Sequence, residues 1–243
     1  MNKITFIIPT IGRKTLINTI KSLENQTNDN WDAIIVFDGI KSNINISNPK
    51  IKILEITKKG VDKNSAGRVR NDGMEYALSL GTSKWFGFVD DDDTLSNNYV
   101  EIFNKELQSY PNIDVIIMRM NNSNLILPQL KTDDIHINYV GISFIMKANI
   151  FANGLKFIPS ATEDFNYLDN MKKNNYKLMI SPYITYFVGN TNNGLYNDKV
   201  IGERVFINNK ETFININNNC FNLSNNDFIF LLLLFLLFLS YKP

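Results

Sequence analysis

Ile4 to Ile8 is an unbroken apolar run rich in β-branched residues and bounded by Pro9. Such a run predicts a strand buried on both faces. Leu16, Ile20 and Leu23 then recur at helical spacing, and the polar stretch Asn25 to Asn30 ends that pattern. Ala33 to Phe37 is a second buried run, stopping at Asp38-Gly39, and Ile51 to Leu54 is a shorter third. Val69, Met74, Ala77 and Leu78 suit a helix over Ala66 to Leu80, closed by Gly81 where a left-handed C-cap is commonly needed. Trp85 to Val89 is the fourth strand. Strands alternating with helices predict a parallel α/β sheet, with ligands beyond the carboxyl ends of its strands. The site is therefore expected at Pro9, Asp38 and Asp90.

Further along, the pattern predicts a helix from Asn97 to Ser109, a strand at Ile113 to Met118 and an apolar stretch from Val140 to Ile145. A helical segment runs from Thr162 through Lys173, followed by strand-like Lys177 to Ile180 and Ile184 to Val188. From Asn190 the composition shifts to Asn, Ile and Lys without helical or alternating period, which predicts loops or a loosely packed extension. The expected organisation is a domain over 1–192, an Asn-rich extension over 193–227 and an apolar segment over 228–239. No internal repeat is visible.

Composition narrows the function classes. Of 243 residues, 44% are hydrophobic and 12% aromatic, enough for a substantial core and against wholesale disorder. The formal net charge is +1, so no global field would hold nucleic acid or an acidic membrane, and any charge that matters is local. Cys220 stands alone, which excludes an internal disulfide framework and a cysteine-built zinc site. Met1-Asn2-Lys3 leads straight into the first strand, so no signal peptide is expected. At the other end, Phe228 to Leu239 reads FIFLLLLFLLFL without a polar residue. As a helix it spans about 18 Å, short of the roughly 30 Å hydrocarbon thickness. Two readings follow: membrane association, with Tyr241 and Lys242 at the headgroups, or burial against the domain or a second copy.

Asp90-Asp91-Asp92-Asp93 directly follows the fourth strand. Four consecutive carboxylates repel one another, so the run invites a cation; Mg²⁺ or Mn²⁺ takes one or two protein carboxylates and completes its shell with substrate phosphates and water. The bland alternative is an acidic, solvated turn. Lys58-Lys59-Gly60 through Asn64-Ser65-Ala66-Gly67-Arg68-Val69-Arg70-Asn71 combines small residues, a helix start and guanidinium donors, which suits phosphate or nucleobase oxygens but equally an ordinary solvated face. Thr162-Glu163-Asp164 opens a helix, either as plain capping or as a carboxylate aimed into a cleft as a general base. His136 has no second histidine or cysteine partner and is expected at the surface.

Together these features resemble the inverting nucleotide-sugar glycosyltransferases of the large family two, with the GT-A fold. The matching stretches are Ile7-Ile8-Pro9-Thr10 with Arg13, Val36-Phe37-Asp38-Gly39, and Ala66 to Asn71 with Gly73. Phe88-Val89-Asp90-Asp91-Asp92-Asp93 follows as the DXD motif, and Thr162-Glu163-Asp164-Phe165 as the ED motif. The resemblance covers residues 3–190. It implies a Rossmann-like, mostly parallel central sheet flanked by helices, and a metal-dependent enzyme using Mn²⁺ or Mg²⁺. The donor would be a nucleotide-diphosphate sugar, with UDP-sugar favoured, and the acceptor a hydroxyl of a glycan or similar group.

Residue by residue, the resemblance implies that Pro9, Thr10 and Arg13 line the nucleotide pocket and that Asp38 meets the base. Arg70 and Asn71 would sit near the nucleotide or its phosphates, Asp90 and Asp91 near the ribose or sugar, and Asp92 on the metal. Asp164 would deprotonate the acceptor hydroxyl, with Glu163 beside it. The implied location is the cytoplasm or the cytoplasmic face of a membrane. Three features depart from the family pattern: Ile11-Gly12 after the first Thr, Thr94 after the carboxylates, and no histidine in Gly189-Asn190-Thr191-Asn192. Two competing readings are a non-catalytic binding relic of the same fold and a haloacid-dehalogenase-type phosphatase, the latter because Asp90, Asp92 and Thr94 also fit an Asp-X-Asp-X-Thr nucleophile motif.

Overall fold

All seven residues of β1 (Ile4–Thr10) are buried, as the unbroken apolar run requires of a strand covered on both faces. In the computed structural model, which describes residues 2–42, 44–59, 66–81, 83–123, 125–190 and 199–208, β1 lies between two parallel neighbours. These are β2 (Trp31–Asp38) and, on the other side, β4 (Trp85–Phe88), with β3 (Ile51–Ile56) parallel beyond β2. The connecting helices are α1 (Leu16–Glu24) and α2 (Ala66–Ser79). Gly81 follows α2 at φ +71°, the left-handed position that the sequence reserves for it. Pro9 does not end β1 as expected but pairs in register with Val36. The ladder with β4 has already finished at Ile7 and Phe88, so a residue without an N–H is tolerated there.

The second half of the sheet is mixed. β5 (Thr94–Leu95) and α3 (Tyr99–Ser109) lead into β6 (Val115–Asn122) and β7 (Leu125–Leu127). β8 (Phe144–Lys147) runs antiparallel between β4 and β6, which joins the two parallel groups into one sheet. α4 (Ala148–Ala152) and α5 (Glu163–Lys173) precede β9 (Leu178–Phe187), which is parallel to β6. The order across the sheet is β10-β9-β6-β8-β4-β1-β2-β3, with β5 on β9 and β7 on β6, where β10 is Val205–Ile207. The result is an α/β fold with a mostly parallel core and an antiparallel insertion.

Two stretches that read as separate strands are one. β9 contains Pro182, and its register against β6 shifts between Ile117 and Arg119, where β9 carries extra residues opposite one. A proline without a donor fits such a bulge, and its interruption of the apolar pattern is what divides the strand in the sequence. Residues 199–208 belong to the stretch read as an Asn-rich extension. They line the sheet edge: Ile201 and Gly202 donate to the Pro182 carbonyl at 3.1 and 3.2 Å, and Arg204 holds Glu106 at 2.8 Å. The apolar segment 228–239 lies outside the described residues. Among the described residues, no helix is long and apolar enough to cross a membrane.

An aromatic cluster fixes the loops that matter. Phe88 packs on Phe144 at 5.0 Å and edge-on against Phe157 at 5.4 Å, while Phe157 lies 4.1 Å from Tyr167 of α5. Each such pair adds about 0.5–1.5 kcal/mol beyond its burial. Together they tie the end of β4, the loop before α5 and α5 itself to one core.

Candidate functional site

Because β4, β1 and β2 are parallel neighbours, their carboxyl ends lie along one edge of the sheet and bring the residues after Phe88, Thr10 and Asp38 to the same side. The centre of the site is Arg70, on the buried face of α2 and only 2% exposed. Its Nη2 donates to Asp90 Oδ1 at 2.5 Å, and its Nη1 donates to Glu163 Oε1 at 3.0 Å. The same Nη1 lies 3.6 Å from Asp164 Oδ1. Arg70 also sits over the Phe157 ring at 5.6 Å. One guanidinium thus joins the acidic run after β4 to the acids that open α5. A cleft of about 250 Å³ opens on this junction, lined by Arg70, Asp90, Glu163 and Asp164 together with Val140, Ala161 and Phe165 among others.

Thr162 makes no side-chain capping bond to α5, while Glu163 and Asp164 lie in its first turn, where carboxylates are favoured. Glu163 also accepts from the Gly67 N–H at 2.9 Å, in the first turn of α2, where a carboxylate is favoured. The second oxygen, Oε2, is buried and accepts no hydrogen bond.

Burial dominates the electrostatics. It pushes Glu163 up to about 7, against the pull of Arg70 and the Gly67 N–H, with Asp164 and Asp90 adding to the rise. Burial likewise lifts Asp164 to about 6, opposed by Arg70 and aided by Asp90. For Arg70 burial acts downward, but Asp90, Asp164 and Glu163 outweigh it and hold the guanidinium above its ordinary value. A permanently charged arginine therefore faces two carboxylates that titrate near neutrality.

A second cluster lies at the other side of the Asp90–Asp93 turn. Thr10 donates to Asp91 Oδ2 at 2.6 Å, and Arg13 Nη1 reaches Asp91 Oδ1 at 3.1 Å and Asp92 Oδ2 at 2.7 Å. Asp91 is buried, which raises its pKa against the opposing Thr10 hydrogen bond and Arg13 charge. Asp93 is buried too and lifted to about 7 by burial, with Asp90 adding to the rise and bonds from Tyr186 and Gly189 opposing it. The side chain of Asp92 is 45% exposed.

Of the residues singled out in the sequence, Arg70, Asp90, Glu163 and Asp164 meet directly, and Thr10, Arg13, Asp91 and Asp92 form the adjoining group. Pro9 lies in β1 just before Thr10. Asp38 stands at the end of β2, where its Oδ1 accepts the Lys59 N–H at 2.6 Å. Asn71 clamps the backbone of Phe157, donating to its carbonyl at 2.9 Å and accepting its N–H at 3.0 Å. His136 is paired with Asp133 at 3.3 Å on the surface, as expected.

Two contributors escaped the sequence reading. Tyr186 and Thr19 both hold the Asp90–Asp93 turn, through the contacts Tyr186 Oη to Asp93 at 2.6 Å and Thr19 Oγ1 to the Asp93 carbonyl at 2.7 Å. Thr19 left a signal: it is a polar residue within the Leu16, Ile20, Leu23 face of α1, and it is wholly buried. Tyr186 left none, since an aromatic residue in a buried strand reads as core.

The donor set suits a hard divalent cation in one specific way. Among the described residues, no group of three or more His, Cys, Asp and Glu side chains is placed to hold an ion. Asp92 offers one half-exposed carboxylate, which is the contribution Mg²⁺ or Mn²⁺ takes from a protein when substrate phosphates and water complete the shell.

Comparison with known proteins bears on the family and the fold. A family model described as "Glycosyl transferase family 2" matches residues 5–159. No curated protein matches the sequence. Among solved structures, S. aureus TarS 1-349 is similar at 17% identity and a TM-score of 0.59, covering 76% of this chain and 60% of that one. The same protein in complex with UDP-GlcNAc gives 17% identity, a TM-score of 0.59 and coverage of 76% and 58%. In complex with UDP it gives 15%, 0.57, 76% and 60%. At these identities the likeness is one of fold, and this chain spans about 60% of the length of those TarS chains.

Proposed function

From the premise that this chain belongs to glycosyl transferase family 2, we propose that it moves a sugar, with inversion, from a nucleotide-diphosphate sugar to an acceptor hydroxyl. UDP-sugar is the favoured donor, in keeping with the UDP-GlcNAc and UDP complexes of TarS. A glycan hydroxyl is the favoured acceptor. One observation carries the reading: Asp90 and Asp164, 74 positions apart in the chain, line one cleft because both face the same buried guanidinium. The phosphatase reading of Asp90, Asp92 and Thr94 gives way to the family match.

Inversion needs a base on one face of the anomeric carbon and the leaving diphosphate on the other. Asp164 is the base in this reading. Ionised above about pH 6, it accepts the acceptor hydroxyl proton on a carboxylate oxygen in the cleft. Arg70 opposes the burial that would otherwise keep Asp164 protonated, and it orients Asp90 beside the donor. Glu163 fixes Arg70 and the first turn of α2. Thr10 and Arg13 hold Asp91, and Arg13 also holds Asp92, at the end of β1, where Pro9 and Thr10 border the nucleotide. Asp38 is assigned to the base, and Asn71 supports the loop behind the site. Mn²⁺ or Mg²⁺ is assigned to Asp92, where a bound ion supplies charge neutralisation to the departing diphosphate.

The test is incubation with Mn²⁺ or Mg²⁺ and a panel of UDP-, GDP- and TDP-sugars, measuring nucleotide release. Slow hydrolysis of a UDP-sugar, abolished by Asp92→Ala, is expected. Donor binding without release from any member of the panel would favour a binding relic of the fold. The reading further includes association of segment 228–239 with the cytoplasmic face of a membrane. Flotation with anionic vesicles, lost on truncation after Asn226, is the outcome that supports it.

A further inference from the structure

Asp93 is the carboxylate of the Asp90–Asp93 run that the chemistry above leaves without a task, yet both its side-chain oxygens and its carbonyl are held. It is 5% exposed. Its Oδ2 accepts the Tyr186 hydroxyl at 2.6 Å, and its Oδ1 accepts the Gly189 N–H at 2.8 Å. The Tyr186 oxygen in turn accepts the Asp90 N–H at 3.2 Å, so one phenol spans the two ends of the acidic run. The turn itself is closed by the Asp93 N–H on the Asp90 carbonyl at 3.1 Å. Thr19 of α1 donates to the carbonyl of Asp93 at 2.7 Å and lies 3.3 Å from that of Asp90. Immediately afterwards Thr94 and Leu95 pair with Phe187 and Tyr186 of β9.

We propose that Asp93 and Tyr186 are positioning residues that clamp the Asp90–Asp92 turn to the end of β9 and thereby set where the Asp92 carboxylate stands. The inference deepens the metal assignment above and rests on it. Its logic is one of rigidity. Asp92 is the most exposed member of the run and contributes a single carboxylate, so beyond its contact with Arg13 its placement depends on the backbone beneath it. That backbone is anchored at Asp90 and at Asp93, one residue to either side of the Asp91-Asp92 pair. Asp93 is too enclosed to meet a ligand itself, since each of its oxygens already has a donor and the residue is buried. Groups that orient a metal ligand without touching the metal commonly govern 10- to 100-fold of its affinity.

Three variants test this: Tyr186→Phe, Asp93→Asn and Asp93→Ala. Mn²⁺ binding in the presence of UDP, followed by the electron paramagnetic resonance of free Mn²⁺, is read beside the Mn²⁺ concentration that half-saturates UDP-sugar hydrolysis. Melting curves establish that each variant folds. Tyr186→Phe is expected to weaken Mn²⁺ binding about tenfold, with kcat at saturating Mn²⁺ close to wild type. Asp93→Asn keeps one acceptor oxygen and should fall between wild type and Asp93→Ala. Should Asp93→Ala not fold, Tyr186→Phe decides, because it deletes a single hydroxyl. Unchanged Mn²⁺ affinity in a folded Tyr186→Phe protein overturns the inference, as does a loss of kcat without any shift in Mn²⁺ dependence. Wild-type turnover that needs no divalent ion overturns the metal assignment instead, and this inference falls with it.

Discussion

Arg70 Nη2 stands 2.5 Å from Asp90 Oδ1, which makes α2 the physical link between the acidic run after β4 and the acids opening α5. The guanidinium serves three carboxylates from one buried position, and only a planar, multiply donating group spans them. Arg70→Lys keeps the charge and loses that reach. Its turnover of a UDP-sugar should fall by about 10²-fold, the scale on which a small misplacement of reacting groups is felt. Arg70→Met removes the charge and leaves three partly buried carboxylates uncompensated, at a cost below the about 3–5 kcal/mol of a fully buried broken pair. Urea unfolding of the two variants separates these effects: Lys should retain most of the stability, Met little of it.

The raised carboxylates set a pH dependence whose sign can be worked out. Asp164 must be ionised to act as base, so kcat/KM should climb as pH rises through about 6 and then level off, with Glu163 at about 7 coupled to the same transition. Stability runs the other way. A carboxyl group whose folded value lies above its unfolded one binds more protons when folded, so its contribution is present at low pH and is lost as pH rises from about 4 to about 7. Glu163→Gln should flatten that decline. Unfolding free energies measured from pH 4 to 8 for wild type and Glu163→Gln provide the check; parallel curves would remove Glu163 as a source of the slope.

The alternating pattern made the parallel half of the fold legible, because β1, β2 and β4 are buried on both faces and therefore read as continuous apolar runs. β5, β7 and β10 were not legible, being two or three residues long and without a period of their own. β9 was divided by Pro182. The site was legible as two acidic clusters and a basic helix start, but their connectivity was not. Arg70 is expected near the nucleotide or its phosphates, and the pattern gives no hint that its donors also go to Asp90 and Glu163. Nothing in a linear sequence reveals that a guanidinium on one helix will be consumed by acids 20 and 93 positions away.

Asn71 illustrates the same limit and yields a prediction. Its amide satisfies both the N–H and the carbonyl of Phe157, the residue that anchors the loop before α5. Asn71→Ala leaves two backbone groups without partners, each worth about 1–3 kcal/mol where water cannot reach. Asn71→Asp keeps the acceptor and loses the donor, so it should be intermediate. Both should reduce kcat more than they raise the KM for the donor, because they loosen the loop that leads into α5 and Asp164. A dominant rise in donor KM would instead show that Asn71 acts on the nucleotide side, as the resemblance implies.

Gly67 and Gly73 lie on the same helix, and adding a methyl group to each should produce opposite kinds of defect. A Cβ at Gly73 would come within 2.7 Å of Ile7 Cγ2 and 2.8 Å of Val36 Cγ2, in the contact between α2 and the centre of the sheet. Overpacking of a filled core costs about 1–3 kcal/mol, and the neighbours here are stiff β-branched side chains on buried strands. A Cβ at Gly67 would instead come within 2.7 Å of both Glu163 Oε2 and Phe157 Cβ. Glu163 would have to move, and with it the acceptor for the Gly67 N–H and one of the contacts that orient Arg70. Gly73→Ala should therefore lower the melting temperature while sparing the specific activity of the folded fraction. Gly67→Ala should lower specific activity at least tenfold, the scale expected when a supporting group around a reacting carboxylate is displaced, with a smaller loss of stability. Melting curves and donor hydrolysis on both variants test the contrast, and equal activity loss in the two would show that Glu163 has no special place in the site.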